Sequence, residues 1–208
     1  MARKTKEEAL ATRASILDAA ELLFHRQGVS RTSLHDIAAA AGVTRGAVYW
    51  HFKDKADLFS HMMDRVCLPA EDGAAAEPGP VNGSALAGLR KHLDEIFELV
   101  AHDERARHVI EIATQKVEYV DELVAVRDRH LEVRSEHVGN LVRLLEQAQA
   151  GGEVPTTQTP RELALGLHAI IDGLIDNWLL DRQAFDLQAI GGLTVDLFLA
   201  GVRAGRRA

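Results

Sequence analysis

Cysteine is almost absent: Cys67 stands alone among 208 residues, which excludes an intrachain disulfide and argues against a thiolate metal site. Proline is scarce too, and three of the five prolines fall within residues 69–83. No unbroken apolar run approaches the roughly 20 residues a bilayer-spanning helix needs, and the polar start MARKTKEEA lacks the apolar stretch of a secretory signal. Nucleophile elbows, phosphate loops, paired catalytic carboxylates and HExxH motifs are all missing, so neither an enzyme nor a bound cofactor is expected. There is no excess of positive charge either, since the formal net charge is -7. These absences predict a reduced, cytoplasmic, soluble protein without a membrane segment.

What is present is helical periodicity, nearly throughout. Ile16, Ala20, Leu23 and Phe24 share one stripe, and Gly28 supplies a stop. Leu34, Ile37, Ala38 and Ala41 form an i, i+3, i+4, i+7 face behind a cap at Thr32 or Ser33. Thr44 caps a short third helix to about His51, and a fourth starts near Asp54, carrying Leu58, Phe59, Met62 and Val66. The stretch at 69–83 reads as a connection between two helical bodies. Further helices are expected over Leu86 to about Val100, Arg105 to Ala113 and Val120 to Ala150. Thr159, Pro160 and Glu162 announce another, to about Leu180, and a last one runs from Leu187 to about Arg203. The expected fold is all-α, with an amino-terminal helix-turn-helix domain at 1–66, a connector at 67–83 and a larger body at 84–208.

Charge is distributed unevenly. Residues 1–55 hold nine Lys/Arg against six Asp/Glu, whereas the remainder is strongly acidic. Within this basic end, AGVTRGAVYWHFKDKADL and the Phe59 that follows it place Tyr49, Trp50, Phe52 and Phe59 within eleven residues, beside Arg45, Lys53 and Lys55. Ala38, Gly42 and Val48 meet the three demands of a tight helical turn: a small residue at the crossing, a glycine free to take positive φ, and a β-branched residue to bury. Phe52 and Phe59 are then expected in the core. Thr44, Arg45 and Gly46 are left on the first turn of the third helix, the part of a recognition helix that enters the major groove. Arg45 can offer a fork to guanine O6 and N7. Tyr49, His51 and Lys55 are candidate phosphate contacts, Thr32 and Ser33 join them at the head of the second helix, and Trp50 fits either packing or the DNA backbone.

The stretch RTSLHDIAAAAGVTRGAVYWHFKDKADLF resembles the DNA-binding signature of TetR-family repressors, and the preceding ARKTKEEALATRASILDAAELLFHRQGV is similar to the first helix of that family. More loosely, through EIATQKVEYVDEL and IIDGLIDNWLL, the rest resembles the AcrR, TtgR and MtrR branch, whose members repress multidrug efflux operons. The resemblance implies an all-helical homodimer on a palindromic operator in double-stranded DNA, released by a hydrophobic small-molecule inducer. It also implies a cavity wall formed by His92, Leu93, Ile96, Ile110, Ala113, Thr114, Leu141, Ile171, Asp172 and Ile175, with Cys67 near the mouth. Ile110, Thr114 and Arg134 stand where identities vary among such relatives, so the ligand itself does not carry over. A regulator answering to a protein partner, or acting as an activator, is the alternative.

Residues 159–180 are too apolar for a helix with one wet side. Leu163, Gly166, Leu167, Ile170, Gly173, Leu174 and Asn177 read as one stripe and, with Leu193, Leu197 and Val202 of the last helix, as half of a four-helix dimer seam. The opposite stripe carries His168, Ile171, Asp172, Ile175 and Leu179. His168 and Asp172 at i, i+4 either satisfy each other or serve as polar anchors in a mostly apolar cavity. The ten histidines show no metal-ligating spacing beside the cysteine. If Arg45 reads a base, Arg45→Ala weakens operator binding and relaxes sequence choice at one base pair by about 1–3 kcal/mol; equal loss on random DNA in a competition assay contradicts that role.

Overall fold

The computed structural model describes residues 6–67, 78–118 and 124–205, with the Cys67 side chain outside that set. Among the described residues there are nine helices: α1 Lys6–Gln27, α2 Leu34–Ala40, α3 Arg45–His51, α4 Lys55–Cys67, α5 Ala85–His102, α6 Glu104–Gln115, α7 Val124–Ala150, α8 Pro160–Leu180 and α9 Leu187–Ala204. No strand occurs among them; Val81 and Ser84 form an isolated bridge. The expected helices are all present, with ends shifted by a few residues. The connector falls largely outside the described residues, as does the expected start of α7 near Val120.

The chain divides into two compact units, and not at the boundary expected from sequence. One takes in the described residues up to Cys67 together with 108–118 and 124–131; the other takes in 78–107 and 132–205. Val109, Ile112, Ala113 and Val126 are buried in the same core as α1 and α4, so this second stretch of chain completes the first unit. Ile16, Ala20 and Phe24 of α1 meet Leu58, Phe59 and Met62 of α4 in that core, with the Phe24 and Phe59 rings 6.4 Å apart. Gly28 ends α1 at φ +86°, and the Val29 amide then donates to the Lys116 carbonyl.

In the second unit, Glu153 caps α5: its carboxylate accepts from the Ser84 hydroxyl and, at 2.7 Å, from the Ala85 amide. Burial alone would raise the Glu153 pKa, but these bonds outweigh it and hold the group below its ordinary value. Thr159 and Glu162 close the expected capping box on α8. Helices α5 and α9 lie against one another, and α8 packs on α9. Gly191 admits the buried Phe97 ring of α5, and the Arg90 guanidinium sits over Gly192 while bonding Asp196 at 2.7 Å.

The apolar residues of α8 and α9 divide between the inside of the chain and its surface. Leu163, Leu167, Ile171, Ile175 and Trp178 are buried within the chain, while Leu165, Ile170 and Leu180 point out. The stripe read from sequence straddles the boundary between these faces, rotated by roughly 80° from the true inner face at 100° per residue. On α9, Val202 is buried inside, whereas Ile190, Leu193 and Leu197 are exposed. Both helices are long and apolar enough, by length and composition, to cross a bilayer, yet only 39% and 33% of their apolar windows are buried. Single aspartates (Asp172, Asp176 and Asp196) interrupt both apolar runs.

A methyl group added at Gly191 would lie 2.6 Å from the fully buried Phe97 ring, so the ring or the backbone must shift to admit it. Gly191→Ala is expected to destabilise by about 1–3 kcal/mol through overpacking, read as a lowered thermal midpoint; an unchanged midpoint contradicts the α5–α9 contact.

Candidate functional site

The segment from Ser33 to His51 is built by caps and one turn. Ser33 opens α2 with a reciprocal box: its hydroxyl accepts from the Asp36 amide, and the Asp36 carboxylate accepts from the Ser33 amide at 3.0 Å. The same bonds, from the Ser33 side chain and backbone, hold the Asp36 carboxyl below its usual range. Gly42 then takes φ +65°, and the Val43 amide reaches back to the Ala38 carbonyl at 3.0 Å. Thr44 caps α3 by accepting from the Ala47 amide at 3.2 Å. Ala38 and Val48 are buried, as the turn requires, and α3 packs on α1 and α2 through this inward side.

The outward side of α3 is the candidate interface. Thr44, Arg45 and Gly46 are exposed on its first turn. Gly46 has open space around its Cα, with only the Thr44 hydroxyl near, so backbone there can approach a groove wall. Tyr49 is 47% exposed and Trp50 is 73% exposed, which places the Trp50 ring in solvent and not in the core. Half-buried His51 meets the Trp50 ring edge-on at 4.4 Å and neighbours buried Phe52. The guanidinium carbon of Arg13, on α1, lies over the Phe52 ring, 5.3 Å from its centroid. A shallow depression of about 510 Å³ adjoins α3, lined among others by Arg31, Ser33, His35, Arg45 and Tyr49. Arg31 and His35 were not singled out from sequence; their position beside the Ser33 cap was the available signal.

Two of the expected contact residues have partners within the chain. Thr32 is 1% exposed, and its hydroxyl donates to the Gly28 carbonyl at 2.8 Å and accepts from Gln27, so it is spent on closing the α1–α2 loop. Lys55 turns inward: its ammonium donates to the carbonyls of Val29, Ser30 and Thr32 at 2.9, 3.3 and 3.1 Å. Nor is the head of α4 open to an anion, because the Asp54 carboxylate already accepts from the Asp57 amide at 2.8 Å. Lys55 therefore bolts the loop that carries Ser33. A three-proton ammonium facing three backbone carbonyls explains the inward turn better than a solvent-facing charge would.

The candidate ligand residues are divided between the two units. Ile110, Ala113 and Thr114 belong to the first unit, where Ala113 is part of the core and Thr114 is exposed with its hydroxyl bonded to the Ile110 carbonyl. In the second unit, Leu93, Leu141, Ile171 and Ile175 are buried, while His92 and Ile96 are half-buried. Burial, then the charge of His137, pushes the His92 pKa down, so this imidazole is neutral at ordinary pH. His168 and Asp172 pair at 3.1 Å, and the Asp172 side chain is 54% exposed, so it is no buried anchor. Cys67 is the remaining candidate, and its side chain lies outside the described residues.

Comparison with known proteins accounts for this arrangement. Residues 16–62 match the family of bacterial regulatory proteins of the tetR type, and residues 84–203 match the carboxy-terminal region of MAATS-type transcriptional repressors. The chain belongs to the TetR family. It is accordingly a DNA-binding transcriptional regulator and not an enzyme. It is 40% identical to the regulator AcrR of Shigella flexneri over 188 residues, which span 90% of this chain and 87% of that one. Its fold is similar to NalD of Pseudomonas aeruginosa, the secondary repressor of the MexAB-OprM multidrug efflux pump, with a TM-score of 0.84, 34% identity and coverage of 98% and 100%. It is likewise similar to SmeT in complex with triclosan, at a TM-score of 0.81, 32% identity and coverage of 91% and 90%; SmeT is the repressor of the Stenotrophomonas maltophilia efflux pump SmeDEF. The solvent-facing α3 of this TetR-family protein is the second helix of its helix-turn-helix.

Lys55→Met keeps the aliphatic stem but takes the ammonium donor from the Ser30 and Thr32 carbonyls, while that of Val29 still accepts from the Thr32 amide. It is expected to cost about 1–3 kcal/mol of stability while leaving the salt dependence of DNA binding at its wild-type slope. A slope smaller by about 0.9, as for a lost phosphate contact, with unchanged melting, contradicts the bolt.

Proposed function

We propose that the protein is a homodimeric, cytoplasmic repressor of a multidrug efflux operon, released from a palindromic operator by a hydrophobic small molecule. The observation that carries this reading is a capped α3 with Arg45, Tyr49 and Trp50 turned to solvent, in a chain similar over nearly its whole length to efflux-pump repressors. Ser33, Thr44, Gly46 and His51 complete the DNA-facing set, with Arg31 and His35 added from the depression they line.

The dimer is supported by the outward faces of α8 and α9. Leu180 is 75% exposed, and Leu165, Ile170, Ile190, Leu193 and Leu197 continue the apolar character of these two faces. That much open hydrocarbon on two helices calls for a partner, and a second copy supplies one by two-fold symmetry. Symmetry then sets two copies of α3 on successive major grooves, about 34–36 Å apart. For the inducer, the second unit offers Leu93, Ile96, Leu141, Ile171 and Ile175 as apolar lining and neutral His92 as a polar group, a composition suited to a largely apolar, uncharged compound. Release needs only that inducer and DNA favour different states of one equilibrium.

Footprinting of the purified protein on the DNA upstream of its own gene tests the reading. An inverted repeat should be protected, and protection should disappear with triclosan or another compound from a panel of hydrophobic antibiotics. Protection that survives the whole panel removes the inducer from the proposal; a monomer in sedimentation at footprinting concentrations removes the dimer.

A further inference from the structure

Arg45 is not a free arm. Its Nη2 donates to the Tyr49 hydroxyl oxygen at 3.2 Å, and its guanidinium carbon stands 5.4 Å from the centroid of the Tyr49 ring. The two residues are one helical turn apart on α3, the spacing at which side chains of one face meet. The hydroxyl bond, followed by the charge interaction with the same tyrosine, raises the Arg45 pKa above its ordinary value. Both side chains remain solvent-exposed, so the pairing is not forced by a surrounding core.

We propose that Tyr49 is a positioning residue for base readout, holding the Arg45 guanidinium in the orientation that presents its free edge to a base pair. The inference rests on the DNA-binding reading given above. A guanidinium has five N–H donors, and the tyrosine oxygen takes one. Four remain, including both on Nη1 and the second on Nη2, enough for a two-pronged contact with guanine O6 and N7. An unrestrained arginine loses much rotamer freedom on binding, and one already held against a ring loses less. The Tyr49 hydroxyl, accepting from a cation, keeps its own proton available for donation. A direct phosphate contact by Tyr49 is therefore the competing role, and the two roles differ in which DNA sequences feel the loss of the hydroxyl.

The test uses the full-length chain, its Tyr49→Phe and Arg45→Ala variants and the double variant. The probe is a duplex selected by the wild-type chain from a randomised pool, together with every single base-pair substitution of one half-site. Tyr49→Phe keeps the ring, so folding is checked by an unchanged melting midpoint. The expected result is an affinity loss of roughly 2- to 12-fold per half-site on the selected duplex, the span of one hydrogen bond. That loss should be confined to the base pair at which Arg45→Ala also relaxes choice, and should vanish in the Arg45→Ala background. A loss of equal size on every duplex, persisting in the double variant, overturns the positioning role in favour of a phosphate contact. A wild-type chain that selects no consensus sinks the sequence-specific DNA reading itself, a result distinct from either.

Discussion

Val48 is wholly buried on a seven-residue helix whose other side chains mostly face solvent, and the use of that helix depends on this single anchorage. A helix of two turns has little stability of its own, because nucleation is costly and few bonds follow it. It persists here because Thr44 caps its first turn, Val48 pins its inner side, and Phe52 ends it inside the core. Gly42 makes the geometry possible by turning the chain at positive φ between two helices that a residue with a Cβ could join only under strain. With the inner side committed to packing, Arg45, Tyr49 and Trp50 have nowhere to go but outward.

The second unit meets a different constraint. Helices α8 and α9 are apolar on both faces, and one chain can cover only one face of each. The inner faces close on small-residue contacts: Phe97 against Gly191, and Arg90 over Gly192 with its charge met by Asp196. Such contacts allow one rotational setting of α9 and thereby decide which leucines remain outside. The polar residues follow the same logic. His168 and Asp172 lie within ion-pair distance along α8, and Glu153 is consumed in capping α5. Groups that look in sequence like candidates for chemistry are here occupied with holding the helices.

Much of the first unit was legible from sequence because its signals are local. Caps act over three residues, so Ser33, Thr44 and Thr159 announced helix starts that the structure keeps. The turn was written in Ala38, Gly42 and Val48, and the separation of Phe52 from Tyr49 followed from helical spacing. What was not legible shares a cause. Lys55 meets carbonyls more than twenty residues away, Ala113 joins a core assembled from α1 and α4, and the α8 stripe loses Leu163 and Leu167 to the inside of the chain. None of these depends on neighbours in the chain.

By itself, the sequence determined an all-helical chain, its helix ends, a helix-turn-helix and the family whose signature that turn carries, because capping, periodicity and glycine placement act within a few residues. Tertiary structure alone decided that Thr32 and Lys55 serve the loop, that residues 108–118 and 124–131 complete the first unit, and which sides of α8 and α9 stay open. Those outcomes turn on long-range competition: a carbonyl trio for an ammonium, or a glycine pocket for a ring. Periodicity reports that a helix has an apolar face, and only the packed neighbours select which face goes inside.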